Sequence, residues 1–138
     1  MSAAVGFDLV DVRAVEESID RFGERYLTRV YTPEEIAYAM SAPDRATAAR
    51  RLGARFAAKE ATIKALGASE RGISPRQIEV VRSTRGAIQI ILHGPAFAAA
   101  REAGATALAV SLSHEGDLAG AVVVVEKTRR SRIRWKKK

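Results

Sequence analysis

A chain of 138 residues, 47% of them apolar, has the size and composition of one domain with a hydrophobic core, and this excludes an intrinsically disordered body. It holds no cysteine, so disulfides and thiolate metal sites are excluded, and a reducing compartment suits it. The net charge of +7 sits at one end: residues 127–138 carry eight bases and no acid, whereas residues 1–126 carry sixteen acids against fifteen bases.

The chain therefore divides into a near-neutral body, 1–126, and a basic extension, "KTRRSRIRWKKK", 127–138. Such a charge block predicts a solvated, disordered tail. It would also suit nucleic acid or anionic lipid, with Trp135 offering one ring for stacking. The opening "MSAAVGFDLVDV" has no basic n-region and reaches an acid at Asp8, so no signal peptide is expected. The apolar run from Ala119 to Val125 is far too short to span a bilayer. The expectation is a soluble cytoplasmic protein.

"AVGFDLV", residues 4–10, is rich in β-formers and predicts a strand. A helix follows from Val12 to Phe22, with Val15, Ile19 and Phe22 at helical spacing and Arg13, Arg21 and Arg25 on another face. "YTPEEI" starts the next helix: Thr32 is the N-cap, Pro33 takes the first helical position, and Glu35 closes a capping box. Pro43 breaks that helix. Asp44 or Thr47 then opens a long helix that ends near Leu66, with Gly67 as its stop. "QIEVVRS" (77–83) and "AIQIIL" (87–92) predict a hairpin around "TRG". A glycine-bounded helix over 94–104 precedes two more strands, "ALAVSLS" and "GAVVVVE", joined by "HEGDLA". The order β-α-α-α-β-β-α-β-β is that of an α+β domain, a mainly antiparallel sheet packed by helices with one long central helix.

The long helix carries charge where burial is expected. Ala49, Leu52, Phe56, Ile63 and Leu66 form an apolar stripe with Lys59 on or beside it. The neighbouring seam is Gly53, Ala57, Glu60, Lys64 and Gly67, whose small residues admit another segment or a ligand close to the helix. Arg51 and Arg55 add charge on further faces. Glu60 and Lys64 have the i, i+4 spacing of an ordinary exposed ion pair. Asp8 argues for more: an ionised carboxylate among Phe7, Leu9 and Val10 is costly to bury without a partner or a metal, unless it caps the helix that follows. Asp8 and Glu60 beside lysines would make a hard oxygen site suited to Mg²⁺ and substrate phosphates.

Three segments together resemble a known family: "VGFDLVDV", "RFAAKEATIKALG" and "VSLSHEGDLAGAVVVVE". They carry G-x-D at 6–8, W/F-x-x-K-E-x-x-x-K at 56–64, and S-x-S-H at 111–114. In this they are similar to the holo-acyl-carrier-protein synthases, the small single-domain branch of the phosphopantetheinyl transferases. The resemblance runs from Val5 to Glu126. It implies the 4′-phosphopantetheinyl transferase-like fold and transfer of 4′-phosphopantetheine from coenzyme A to a serine of an apo acyl carrier protein, leaving adenosine 3′,5′-bisphosphate. It implies Asp8 and Glu60 as Mg²⁺ ligands, and Asp8, Glu60 and Lys64 as the catalytic set. Lys59, Lys64, Arg55, Gly67 and His114 would meet coenzyme A. Arg13, Arg21 and Arg25 would dock the acidic carrier, and a homotrimer would share active sites between subunits. The serine proton would go to Asp8, to Glu60, or to a metal-bound water.

The chain departs from the family's pattern in places. Ser69 stands where a second loop glycine is usual, "RGA" replaces a Gly-Lys-Pro turn, and Asp11 replaces a glutamate. His93, before Gly94, reads as structural. The competing readings are a nucleic-acid-binding protein, suggested by the tail, and a catalytically silent oligomeric homologue.

Overall fold

In the computed structural model, which describes residues 2–128, the chain opens on strand β1 (Ser2–Asp11). Asp11 accepts the Arg13 backbone N–H and so caps helix α1 (Val12–Phe22). Gly23, at φ 56°, turns the chain into a helix absent from the sequence-based order, α2 (Glu24–Val30). Helix α3 (Pro33–Met40) begins with the predicted capping box on Thr32 and Glu35. Of the two candidate caps for the long helix, Asp44 takes the role by accepting the Thr47 N–H, and α4 runs Arg45–Ala65.

A short 3₁₀ turn (Pro75–Gln77) leads into the hairpin β2 (Ile78–Arg82) and β3 (Ile88–Leu92), with Gly86 at φ 83° in its turn. Helix α5 (Gly94–Glu102) then leads to β4 (Ala105–Glu115) and β5 (Leu118–Lys127). These last strands are longer than predicted and leave only Gly116 and Asp117 as the turn. Lys127 pairs with Ser2 and so belongs to the body; the predicted tail lies, from Arg129 onward, outside the described residues.

The strands form two antiparallel sheets, not one: β1-β5-β4, and the hairpin β2-β3. Helix α4 lies across β1 and β5 and is buried on most of its circumference, which explains its alanines: Ala49, Ala57, Ala58 and Ala61 are all sealed from solvent. Besides β1 and β5, α4 also touches α1, α3, β2 and β4, so no single polar face survives. A second cluster gathers Val15, Leu27, Tyr31 and Leu52, where α2 supplies what α1 alone could not cover. The buried Tyr31 hydroxyl donates to the Leu52 carbonyl at 3.1 Å and meets Tyr26 Oη at 2.8 Å, so its polar end is satisfied.

Candidate active site

The alternation of β1 settles which side chains meet α4. Gly6 is buried on the helix side and Asp8 is half-buried there, while Val5, Phe7 and Leu9 point outward. Gly6 sets the distance between strand and helix. A Cβ at this position would sit 1.8 Å from the Ala61 carbonyl oxygen, so only glycine permits the approach. The close approach is to Ala61 and Ala65, outside the seam of small residues read from the sequence, whose Gly53 faces Val12, Val15 and Ala119 instead. Two residues further along β1, Asp8 Oδ1 accepts a hydrogen bond from Lys64 Nζ at 2.8 Å, and the same ammonium donates to the Phe7 carbonyl at 3.1 Å.

Glu60 lies one helical turn before Lys64. Burial, and then the nearby charge of Asp8, push its carboxyl above the usual range, against the pull of Lys64. The Lys64 ammonium is pushed up by its bond to Asp8 and by Asp8's charge. The simple Glu60–Lys64 surface pair is therefore replaced by a three-residue cluster in which Lys64 turns to Asp8. Asp8 does not cap α1; Asp11 does.

Lys59 requires a correction. The family resemblance places it at the coenzyme A phosphates, but it is fully buried and points to the other side of α4. Its ammonium donates to Glu35 Oε1 (2.7 Å), the Ile78 carbonyl (2.6 Å) and the Pro75 carbonyl (3.0 Å), which uses all three N–H groups. Burial pushes this ammonium down, opposed by Glu35. Glu35 also accepts the Thr32 and Val80 backbone N–H groups, so one carboxylate joins α3, α4 and β2.

Arg55 faces a cleft of about 430 Å³ lined also by Tyr38, Arg50, Arg51, Arg82 and His114. Its Nε is buried and has no partner among the described residues. Burial pushes the guanidinium down, as do the charges of Arg82 and Arg51, while Tyr38 and Glu35 oppose this. No acid lines the cleft among the described residues. Arg50, Arg51 and Arg82 were not assigned to a site by sequence, although the basic content of α4 was visible. His114, next to last in β4, is exposed at the edge of this cleft. Gly67, at φ 63°, turns the chain after Leu66 and is exposed. His93 binds Glu79 at 3.1 Å.

The three proposed docking arginines have different neighbours. Arg13 is held by Asp11 through two side-chain bonds of 3.2 and 3.1 Å. Arg21 lies over the Phe22 ring, and Arg25 lines a cleft with Phe22, Tyr26, Arg29 and Val30. Arg29 is the residue there that sequence reasoning did not single out.

Residues 4–123 match the model of the 4′-phosphopantetheinyl transferase superfamily, and the chain belongs to that superfamily. Its place within it is the holo-acyl-carrier-protein synthase branch. It is 41% identical to the holo-[acyl-carrier-protein] synthase of Koribacter versatilis over 127 residues, which is 91% of this chain and 99% of that protein. To that of Carboxydothermus hydrogenoformans it is 43% identical over 120 residues, 87% and 94% of the two chains. The fold is similar to the Chronobacterium ammoniagenes ACPS–CoA complex, with TM-score 0.81 and 29% identity over 94% of this chain and all (100%) of the other. The holo-[acyl-carrier-protein] synthase structure from Neisseria meningitidis matches with TM-score 0.78 and 33% identity, over 90% and 98%.

Proposed function

We propose that this chain performs its family's reaction with Asp8, Glu60 and Lys64 at the reacting phosphates. The reaction moves 4′-phosphopantetheine from coenzyme A to a serine hydroxyl of an apo acyl carrier protein and leaves adenosine 3′,5′-bisphosphate. The observation that carries the assignment is the meeting of Lys64 with Asp8, 56 residues apart in sequence, beside a half-buried Glu60. A silent homologue would have no chemical reason to keep that costly arrangement.

Asp8 and Glu60 are the residues that would hold Mg²⁺: both offer hard oxygens, and a divalent cation would offset the burial, and then the Asp8 charge, that raise Glu60. When bound, such an ion supplies Lewis-acid stabilisation of phosphate oxygens. Lys64 is half exposed and has one N–H beyond its two bonds with which to meet a phosphate. Asp8 and Glu60 are the carboxylates at hand to accept the serine proton.

Coenzyme A presents two phosphate groups, a pyrophosphate and a separate monoester on its ribose. The cleft at Arg55 lies on the Lys59 side of α4, away from Asp8 and Lys64, so one coenzyme A would meet both regions across two subunits of the homotrimer that the resemblance implies. The unpartnered Arg55 Nε and the cluster of guanidiniums suit the nucleotide end, with His114 beside it. The cleft of Arg25, Arg29 and Phe22, with Arg21 adjacent, suits an acidic carrier that also offers an apolar side chain.

The outer face of the three-stranded sheet exposes Val5 (62%), Phe7 (57%) and Leu9 (57%). An apolar row of this kind marks a surface made to be covered. It supports the homotrimer, with active sites shared between subunits, that the resemblance implies. No helix among the described residues is long and apolar enough to cross a membrane; a cytoplasmic role in fatty-acid synthesis is what the family resemblance implies.

The deciding experiment incubates the full chain with coenzyme A, Mg²⁺ and an apo carrier, then weighs the carrier by mass spectrometry. One added phosphopantetheine arm, dependent on Mg²⁺, is the expected result. An unmodified carrier overturns the reading.

A further inference from the structure

Tyr38 touches three of the cationic side chains of the α4 cleft. Its ring lies under the guanidinium of Arg55 at 4.3 Å and of Arg51 at 4.5 Å, measured to the ring centroid, and Arg82 stands at 5.8 Å. The Tyr38 carbonyl accepts from Arg51 Nη1 at 3.0 Å, and the Tyr38 hydroxyl accepts from Arg82 Nη1 at 3.0 Å. One residue thus offers a π face to two guanidiniums, a carbonyl to one of them, and a phenol oxygen to a third.

Three like charges brought this close repel one another; Glu34, Glu35 and Glu79 answer part of this from an adjoining cleft that Tyr38, Arg55 and Arg82 also line, but no acid lines the α4 cleft itself among the described residues. The attraction between cations and the ring quadrupole offsets part of that cost and fixes where each planar fork lies. The ring's own place is set from behind. Glu35, one helical turn earlier on α3, is pinned to α4 by the buried Lys59. Arg55, four residues before Lys59 on α4, is thereby held against the ring.

We propose that Tyr38 is a positioning residue that gathers Arg51, Arg55 and Arg82 into a preformed receptor for the phosphate of the nucleotide. This rests on the coenzyme A reading above. Tyr38 need not touch the ligand itself: it holds the guanidiniums in the arrangement a phosphate meets, so the ordering cost falls on folding and not on binding.

The experiment is steady-state kinetics on the full chain with Tyr38→Leu and Tyr38→Phe, with folding of each checked by circular dichroism. Tyr38→Leu removes the ring under two guanidiniums, so KM for coenzyme A is expected to rise about tenfold or more while kcat stays within about twofold. Tyr38→Phe keeps the ring and loses only the acceptor for Arg82, so its KM rises about two- to threefold. Arg82→Gln added to Tyr38→Phe then brings less than Arg82→Gln alone, because the two share one contact.

An unchanged KM in folded Tyr38→Leu, or a fall in kcat with KM unmoved, overturns the inference and leaves the family activity standing. If Tyr38→Leu fails to fold, the Tyr38→Phe and Arg82→Gln cycle decides: non-additivity supports the role and strict additivity overturns it. A wild-type chain that leaves the carrier unmodified overturns the functional reading instead. The role of Tyr38 is then judged by the rise in Tm that inorganic sulfate gives the wild type. Loss of that rise in folded Tyr38→Leu, or a smaller rise in Tyr38→Phe if Tyr38→Leu does not fold, supports it, and an equal rise overturns it.

Discussion

Lys59 and Lys64 stand five residues apart in one motif, and the fold treats them oppositely. Lys59 enters the interior between α3, α4 and β2, where every N–H finds an oxygen. Lys64 leaves the other side of the same helix at the edge of β1, half exposed, with Asp8 as its partner. Identical side chains therefore do different work. The first joins elements, because a buried ammonium is tolerable only when fully paired. The second keeps solvent access and spare bonding capacity, which a residue needs to meet a phosphate.

Removing one member of the interior pair gives the largest effect. Lys59→Met strands the Glu35 carboxylate, so unfolding free energy should drop by about 3–5 kcal/mol in urea titrations. Adding Glu35→Leu should recover much of that loss, because an apolar pair of similar volume carries no stranded charge. If Lys59→Met were as stable as the wild type and raised only KM for coenzyme A, the two lysines would not differ as described.

Lys64→Ala should do the reverse. Transfer should slow by about 10²–10³-fold, as for loss of one donor at a developing negative charge, with the urea midpoint nearly in place. Single-turnover rates with saturating coenzyme A test this. Stability lost together with rate would place Lys64 in the frame and not at the chemistry.

Gly6→Ala sharpens the contrast from the strand side. The added methyl meets the Ala61 carbonyl, so β1 must retreat from α4. A stability loss of about 1–3 kcal/mol is expected from such overpacking. Transfer should fall as well, because Asp8 moves with the strand. A variant with lowered Tm but full activity would show that Asp8 does not depend on that close approach.

Much of this was legible in sequence, for local reasons. The capping box at Thr32 and Glu35, the Asp44–Pro43 break and the hairpin glycine all act within a few residues. Helix α2 was not legible: it is only seven residues long, and Gly23 before it supplies no side-chain cap. Its hold comes from Tyr31 and Leu27 packing on Leu52, a tertiary cause. Asp8 stood out by the cost of its burial; the motif set it beside Glu60 around a metal ion, and the direct bond from Lys64 was not foreseen. Lys59 was misread because its burial depends on Glu35, 24 residues away, which looks like an ordinary exposed cap until α3 is docked. The arginine cluster around Tyr38 joins α3, α4 and β2, and no spacing rule within one element reports that.

The smallest expected effect belongs to a surface charge, at the other extreme from Lys59. Arg21 is exposed on α1 with its guanidinium over the Phe22 ring and no ion pair among the described residues, so it contributes through its field and not through a fixed bond. Reversal to glutamate should leave Tm unchanged and slow encounter with an acidic carrier by about three- to tenfold at low salt. Wild type and variant should converge as salt approaches 1 M, where screening acts within about 3 Å. The slope of kcat/KM against ionic strength is the measurement. Parallel slopes for the two proteins would remove Arg21 from the docking surface, whereas a flattened slope in the variant would tie α1 to the carrier by charge alone.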